Sequence, residues 1–91
     1  MSKKNIKKQY DEVASLGCIL CRYLVLGQTP AEIHHIRRYG EKRETAEVIP
    51  LCPEHHRGNS GVHGMGKKAF ARHYGVSEED LLVMVNYLLS K

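Results

Sequence analysis

Apolar residues Ile6, Tyr10, Val13 and Ala14 recur at three- and four-residue intervals, and Gly17 follows them. That spacing predicts a helix over residues 4–16, ended by a glycine in the left-handed position after the last turn. Residues 27–30 carry the glycine and proline of a turn. Two short β-like runs come next, residues 33–36 and 48–51, with Pro50 suited to an edge or a strand end. The polar residues 37–44 between them, with Gly40 inside, predict a loop. Pro53 fits the first turn of a helix that begins after Cys52. Gly58, Gly61, Gly64 and Gly66 then break the pattern, and a helix resumes near Lys67, where Phe70 and Tyr74 form an i, i+4 pair closed by Gly75. Ser77 is an N-cap, with Glu78, Glu79 and Asp80 in the first turn of a last helix. Leu81, Leu82, Val85, Leu88 and Leu89 mark its apolar face over residues 77–89, expected to pack against the first helix.

These elements make one α+β domain over residues 1–91, with a basic arm at residues 1–9 that runs into the first helix. A domain of 91 residues buries a limited share of its surface. A structural metal would answer a physical need at this size. The net charge of +4 suits an anionic partner such as nucleic acid. Its distribution sharpens that expectation. Lys3, Lys4, Lys7 and Lys8 crowd the N-terminal arm, and residues 55–77 hold Arg57, Lys67, Lys68 and Arg72 without a single Asp or Glu. No stretch reaches the length of a membrane span. The expected protein is soluble and cytoplasmic, with no membrane partner.

Three cysteines, an odd number, argue against a closed disulfide framework. In a reducing compartment their thiols stay available to a metal. Cys18-x2-Cys21 and Cys52-x2-His55 form two knuckle pairs. Two-residue spacers let neighbouring ligands wrap one ion, and zinc prefers four tetrahedral sulfur and nitrogen ligands. A structural zinc on Cys18, Cys21, Cys52 and His55 would tie the end of the first helix to the start of the central one.

All six histidines fall between positions 34 and 73, four of them in adjacent pairs. His34 and His35 are consecutive in a strand, so they face opposite sides. One can bind a metal while the other faces substrate. His55 and His56 can divide in the same way at a helix start, one turned to zinc and the other to a second metal. His73 reads as a surface or packing residue.

The string Ile33-His34-His35-Ile36, followed by Val48-Ile49-Pro50-Leu51-Cys52-Pro53-Glu54-His55-His56-Arg57, resembles the HNH (ββα-metal) endonuclease motif. Gly61-Val62-His63-Gly64, with Phe70 and Tyr74-Gly75 beyond it, is similar to the RecA-dependent nuclease (Ref-like) branch of phages and prophages. The resemblance spans residues 17–75. It implies a zinc-stabilised ββα-metal core flanked by N- and C-terminal helices. It also implies a metal-dependent DNA endonuclease acting in phage recombination or repair, with DNA and a RecA-type filament as partners. By this resemblance His35 is the general base, and a neutral imidazole titrating near neutrality suits that task. His34 and His56 hold a catalytic Mg2+ or Mn2+, with Zn2+ as an alternative ion. His63 either completes that shell or lies near the scissile phosphate. One position departs from the pattern: Glu47 stands where many HNH members have an Asn that pins the loop carrying the base. Arg37, Arg38, Lys42, Arg43, Arg57, Lys67 and Lys68 are candidate phosphate contacts, which position a duplex without reading its sequence. A non-catalytic zinc module that binds DNA or a recombination protein is the alternative, and it leaves the His34–His35 pair without a purpose.

Overall fold

The structure, a computed structural model, describes residues 3–36 and 46–90. Among them are six helical segments and one two-stranded antiparallel sheet, an α+β arrangement. Helix α1 (Lys3–Ala14) comes first, then α2 (Ile19–Tyr23), β1 (Glu32–Ile36) and β2 (Glu47–Leu51). Helices α3 (Pro53–Arg57), α4 (Val62–Met65), α5 (Lys67–Tyr74) and α6 (Glu78–Leu89) follow. The loop expected at 37–44 lies outside the described residues, as do Arg37, Arg38, Lys42 and Arg43. No helix among the described residues is long and apolar enough to cross a membrane.

A two-stranded sheet is not stable alone and needs helices to cover it. Here β1 and β2 pair with His34 opposite Ile49 and His35 opposite Val48. Val48, Ile49, Pro50 and Leu51 are all buried. Successive strand residues point to opposite faces, so both faces of β2 are covered. Helices α1, α2, α3 and α6 supply that cover. The last helix packs on α1, as its apolar stripe suggested, and also on β2 and α2. Phe70 of α5, Leu81 and Val85 of α6, Ile19 and Leu20 of α2, and Ile36 of β1 complete the core.

Local chemistry explains most element ends. Gly17 closes α1 at φ +74° and Gly75 closes α5 at φ +78°, both in the left-handed region that glycine enters without steric cost. Ser77 caps α6 by accepting a hydrogen bond from the Asp80 amide, and the Asp80 carboxylate accepts one from the Ser77 amide in return. Pro53 occupies the first turn of α3. Two short helices go beyond the sequence pattern. One is α2, where the Cys18 sulfur caps the first turn by accepting from the Cys21 amide. The other is α4, a single turn within the glycine-rich stretch. Neither is long enough to display a helical period.

Candidate metal centres

Cys18 caps α2, Cys21 lies within it, Cys52 precedes α3 and His55 sits in α3. Their side chains converge, and all four residues are buried. His55 Nδ1 lies 3.6 Å from Cys18 Sγ, 3.5 Å from Cys21 Sγ and 3.3 Å from Cys52 Sγ, and the sulfurs of Cys21 and Cys52 are 3.8 Å apart. A tetrahedron with zinc–sulfur arms of about 2.3 Å and zinc–nitrogen arms of about 2.0–2.1 Å has S–S edges of about 3.8 Å and S–N edges of about 3.5–3.6 Å. The observed spacings match those edges, so this Cys3His group could bind a metal ion such as zinc. Burial, opposed by hydrogen bonds from backbone amides, pushes the Cys18 thiol up to about 12. Burial likewise lowers His55, with Glu54 opposing weakly, and so favours the neutral ring a metal requires. Tyr74 meets the His55 imidazole edge to face at 5.6 Å.

A second group forms on the other side of α3. His34 of β1, His56 of α3 and His63 of α4 bring one donor atom each to within 4.8 Å of the others. Their ring centroids are 4.8–5.1 Å apart. His34 is buried, His56 half-buried and His63 exposed, so the group opens to solvent on the α4 side. The two adjacent histidines of α3 thus face different groups.

The glycine run brings His63 back to this point. A Cβ at Gly61 would lie 2.5 Å from the Glu54 carbonyl oxygen, and one at Gly64 would lie 2.2 Å from that of Gly58. Only glycine lets α4 approach α3 this closely. Ser60 is tied down as well: its amide donates to Glu54, and its carbonyl accepts from the Tyr74 hydroxyl at 2.6 Å. His63 is therefore a member of the cluster rather than an isolated histidine in a loop.

Carboxylates flank the three imidazoles. Glu32 Oε1 lies 2.9 Å from His56 Nδ1, and the Arg57 guanidinium binds the same carboxylate with Nε and Nη2. The His56 hydrogen bond, opposed by some burial and helped by Arg57, holds the Glu32 carboxyl below its usual range. Glu78 of α6 is buried and contacts His34 Nε2. Burial raises the Glu78 carboxyl, but the bond and charge of His34, with Lys67 behind them, outweigh it and leave it lowered. Partial desolvation of its ring lowers His63, the neighbouring charges of His34 and His56 lower it further, and Glu78 opposes them.

His35 stands outside this cluster, on the opposite side of β1 from His34. The Tyr10 hydroxyl of α1 lies 3.2 Å from His35 Nε2, and the two rings meet edge to face. Glu47 is exposed at the start of β2, opposite Ile36. Lys68 is exposed, Lys67 Nζ lies 3.6 Å from Glu78 Oε1, and Arg57 is held by Glu32. His73 is exposed at the end of α5, as expected of a surface residue.

Three residues at these centres escape a reading of the sequence: Glu32, Glu78 and Tyr10. Glu78 did carry a signal, but an acidic residue in a first helical turn is already explained by the helix terminus. Glu32 and Tyr10 carried none, because they lie 24 and 25 residues from their histidine partners.

No curated protein and no solved structure matches this chain. A family model described as "Recombination enhancement, RecA-dependent nuclease" matches residues 3–90, nearly the whole sequence. The chain belongs to the RecA-dependent nuclease family, whose description is that of a recombination-related nuclease.

Proposed function

We propose that this chain is a metal-dependent DNA endonuclease of the HNH type, with a structural zinc on Cys18, Cys21, Cys52 and His55 and a separate cation on His34, His56 and His63. The observation that carries this reading is the second cluster: three imidazoles from β1, α3 and α4 converge beside a complete Cys3His group. A zinc-binding module needs only the first group. The order of elements supports the HNH type, because an antiparallel hairpin leads directly into α3 and the hairpin and helix each contribute a histidine to the cluster.

His35 serves as general base. Its ring accepts a proton from the attacking water, which general-base catalysis rewards with about 10²–10⁴-fold in rate. Tyr10 takes over the orienting role that Glu47 is unsuited to fill, since it holds the His35 ring from α1. A cation held by His34, His56 and His63 would supply charge stabilisation to the phosphate and the departing 3′ oxygen. Three nitrogen donors suit a first-row transition ion better than Mg2+, which prefers oxygen ligands and retains its waters. Lys68, with Lys67 and Arg57 at the edge of the cluster, contacts backbone phosphates, so binding weakens steeply with salt. The family description names RecA dependence, and on that basis we read the substrate as DNA presented by a RecA filament.

The test is cleavage of plasmid DNA with Mn2+, with and without a RecA–single-strand filament, comparing wild type with His35→Ala. Cleavage that His35→Ala abolishes while zinc content stays at one equivalent supports the enzyme. DNA binding without cleavage under either condition makes the protein a zinc-stabilised binding module.

A further inference from the structure

Of the three acidic residues at the start of α6, each has a different environment. Asp80 completes the capping box, Glu79 is exposed, and Glu78 turns inward to 4% exposure. A buried carboxylate is costly unless it is paired and hydrogen-bonded. Glu78 meets both demands through His34 Nε2 and the nearby Lys67 ammonium. The first turn of α6, fixed by its cap, adds favourable amide dipoles. Glu78 is not one of the mutually adjacent donors, which are the three imidazoles. It reaches them through His34.

We infer that Glu78 is the positioning residue of the cation site: its carboxylate accepts a hydrogen bond from His34 Nε2–H, fixes that tautomer and leaves Nδ1 to the triad. An ionised carboxylate can only accept, so the proton of this bond belongs to the imidazole. The neutral ring then has one lone pair, on Nδ1. Glu32 plays the matching part on His56, where it engages Nδ1 and leaves Nε2. Carboxylate–histidine–metal chains of this kind orient the ligand and raise its basicity. In this protein the arrangement makes the C-terminal helix part of the cation site, although α6 contributes no ligand. The inference rests on the three imidazoles being a cation site.

Two measurements test it on the full-length, zinc-loaded protein. The first is Mn2+ binding followed by electron paramagnetic resonance. Glu78→Gln keeps the shape of the side chain and removes its charge. It is expected to weaken Mn2+ binding about 10–100-fold, while zinc stays at one equivalent and Glu79→Gln binds Mn2+ like wild type. A Glu78→Gln protein that melts earlier yet binds Mn2+ as tightly as wild type overturns the inference, because Glu78 would then be structural only. The second measurement needs no variant. Long-range imidazole 1H–15N spectra of the wild type before Mn2+ addition should show His34 protonated on Nε2, and protonation on Nδ1 overturns the inference even if Glu78→Gln fails to fold. Wild type that binds no Mn2+, Co2+ or second Zn2+ overturns the reading of the triad itself, and the tautomer then still decides whether Glu78 orients His34.

Discussion

His55 and His56 are neighbours in one short helix, yet they serve centres built on opposite physical terms. The Cys3His group is buried throughout, its four donors spaced like the edges of a zinc tetrahedron. It ties α2 to α3 and leaves no position for a substrate. The three-histidine group is graded from buried His34 to exposed His63, and carboxylates on two elements back it. A closed tetrahedral site suits structure, whereas an open one leaves room for water or substrate. On the proposed reading, a 91-residue chain separates stability from chemistry across a single helix.

The largest expected effect comes from breaking the closed centre. Structural zinc supplies apparent binding energies of about 10–16 kcal/mol in small domains, comparable with the whole stability of about 5–15 kcal/mol typical of folded proteins. Chelation, or Cys18→Ser, is therefore expected to abolish the cooperative melting transition seen by circular dichroism. An unchanged melt in metal-free protein would contradict the assignment. Next is the chemistry beside the open centre. His35→Ala should lower the cleavage rate about 10²–10⁴-fold with melting and zinc content unchanged, read by single-turnover plasmid nicking.

A smaller effect separates the two centres directly. His63→Ala should weaken Mn2+ binding and leave zinc in place. Gly64→Ala should do the same without touching a ligand, because its Cβ would meet the Gly58 carbonyl oxygen at 2.2 Å and push α4 away from α3. Calorimetric Mn2+ titration beside zinc analysis checks both variants. Loss of zinc in either variant would mean that the centres are not independent.

The smallest effect is on pH dependence before Mn2+ is added. Partial desolvation and the charges of His34 and His56 hold His63 below its ordinary 6.5, against the pull of Glu78. A folded value below the unfolded one means that the unfolded chain takes up the proton first. This contribution to stability is complete above about 6.5, the unfolded value of a histidine, and is lost as pH falls through the lower folded value. The exposure of His63 keeps the loss slight. Urea melts of wild type and His63→Ala from pH 7.5 downward should converge on the acid side, and nuclear magnetic resonance titration should place His63 below 6.5.

What the sequence could determine by itself was whatever acts over a few residues. Helix ends at Gly17, Ser77 and Gly75 follow from glycine freedom and side-chain capping, which are local. The four members of the Cys3His group were legible because each knuckle pair has a two-residue spacer, and the fold brings the two pairs together as that pattern implied. The strand pair with His34 and His35 on opposite faces followed from a period of two. Periodicity could not reveal α2 or α4, which are shorter than the pattern it measures.

Tertiary structure decided the rest, because those groups meet only when distant elements pack. Glu78 and His34 are 44 residues apart, and an acidic residue at a helix start looks the same whether it faces water or a buried imidazole. Gly61 and Gly64, which read as breaks, proved to be close contacts that bring His63 to His56. Tyr10 looked like one more apolar position of the first helix, and only the packing of α1 on β1 puts its hydroxyl against His35. Local sequence names candidate ligands, but the partners that orient them depend on burial and long-range packing, which no short motif encodes.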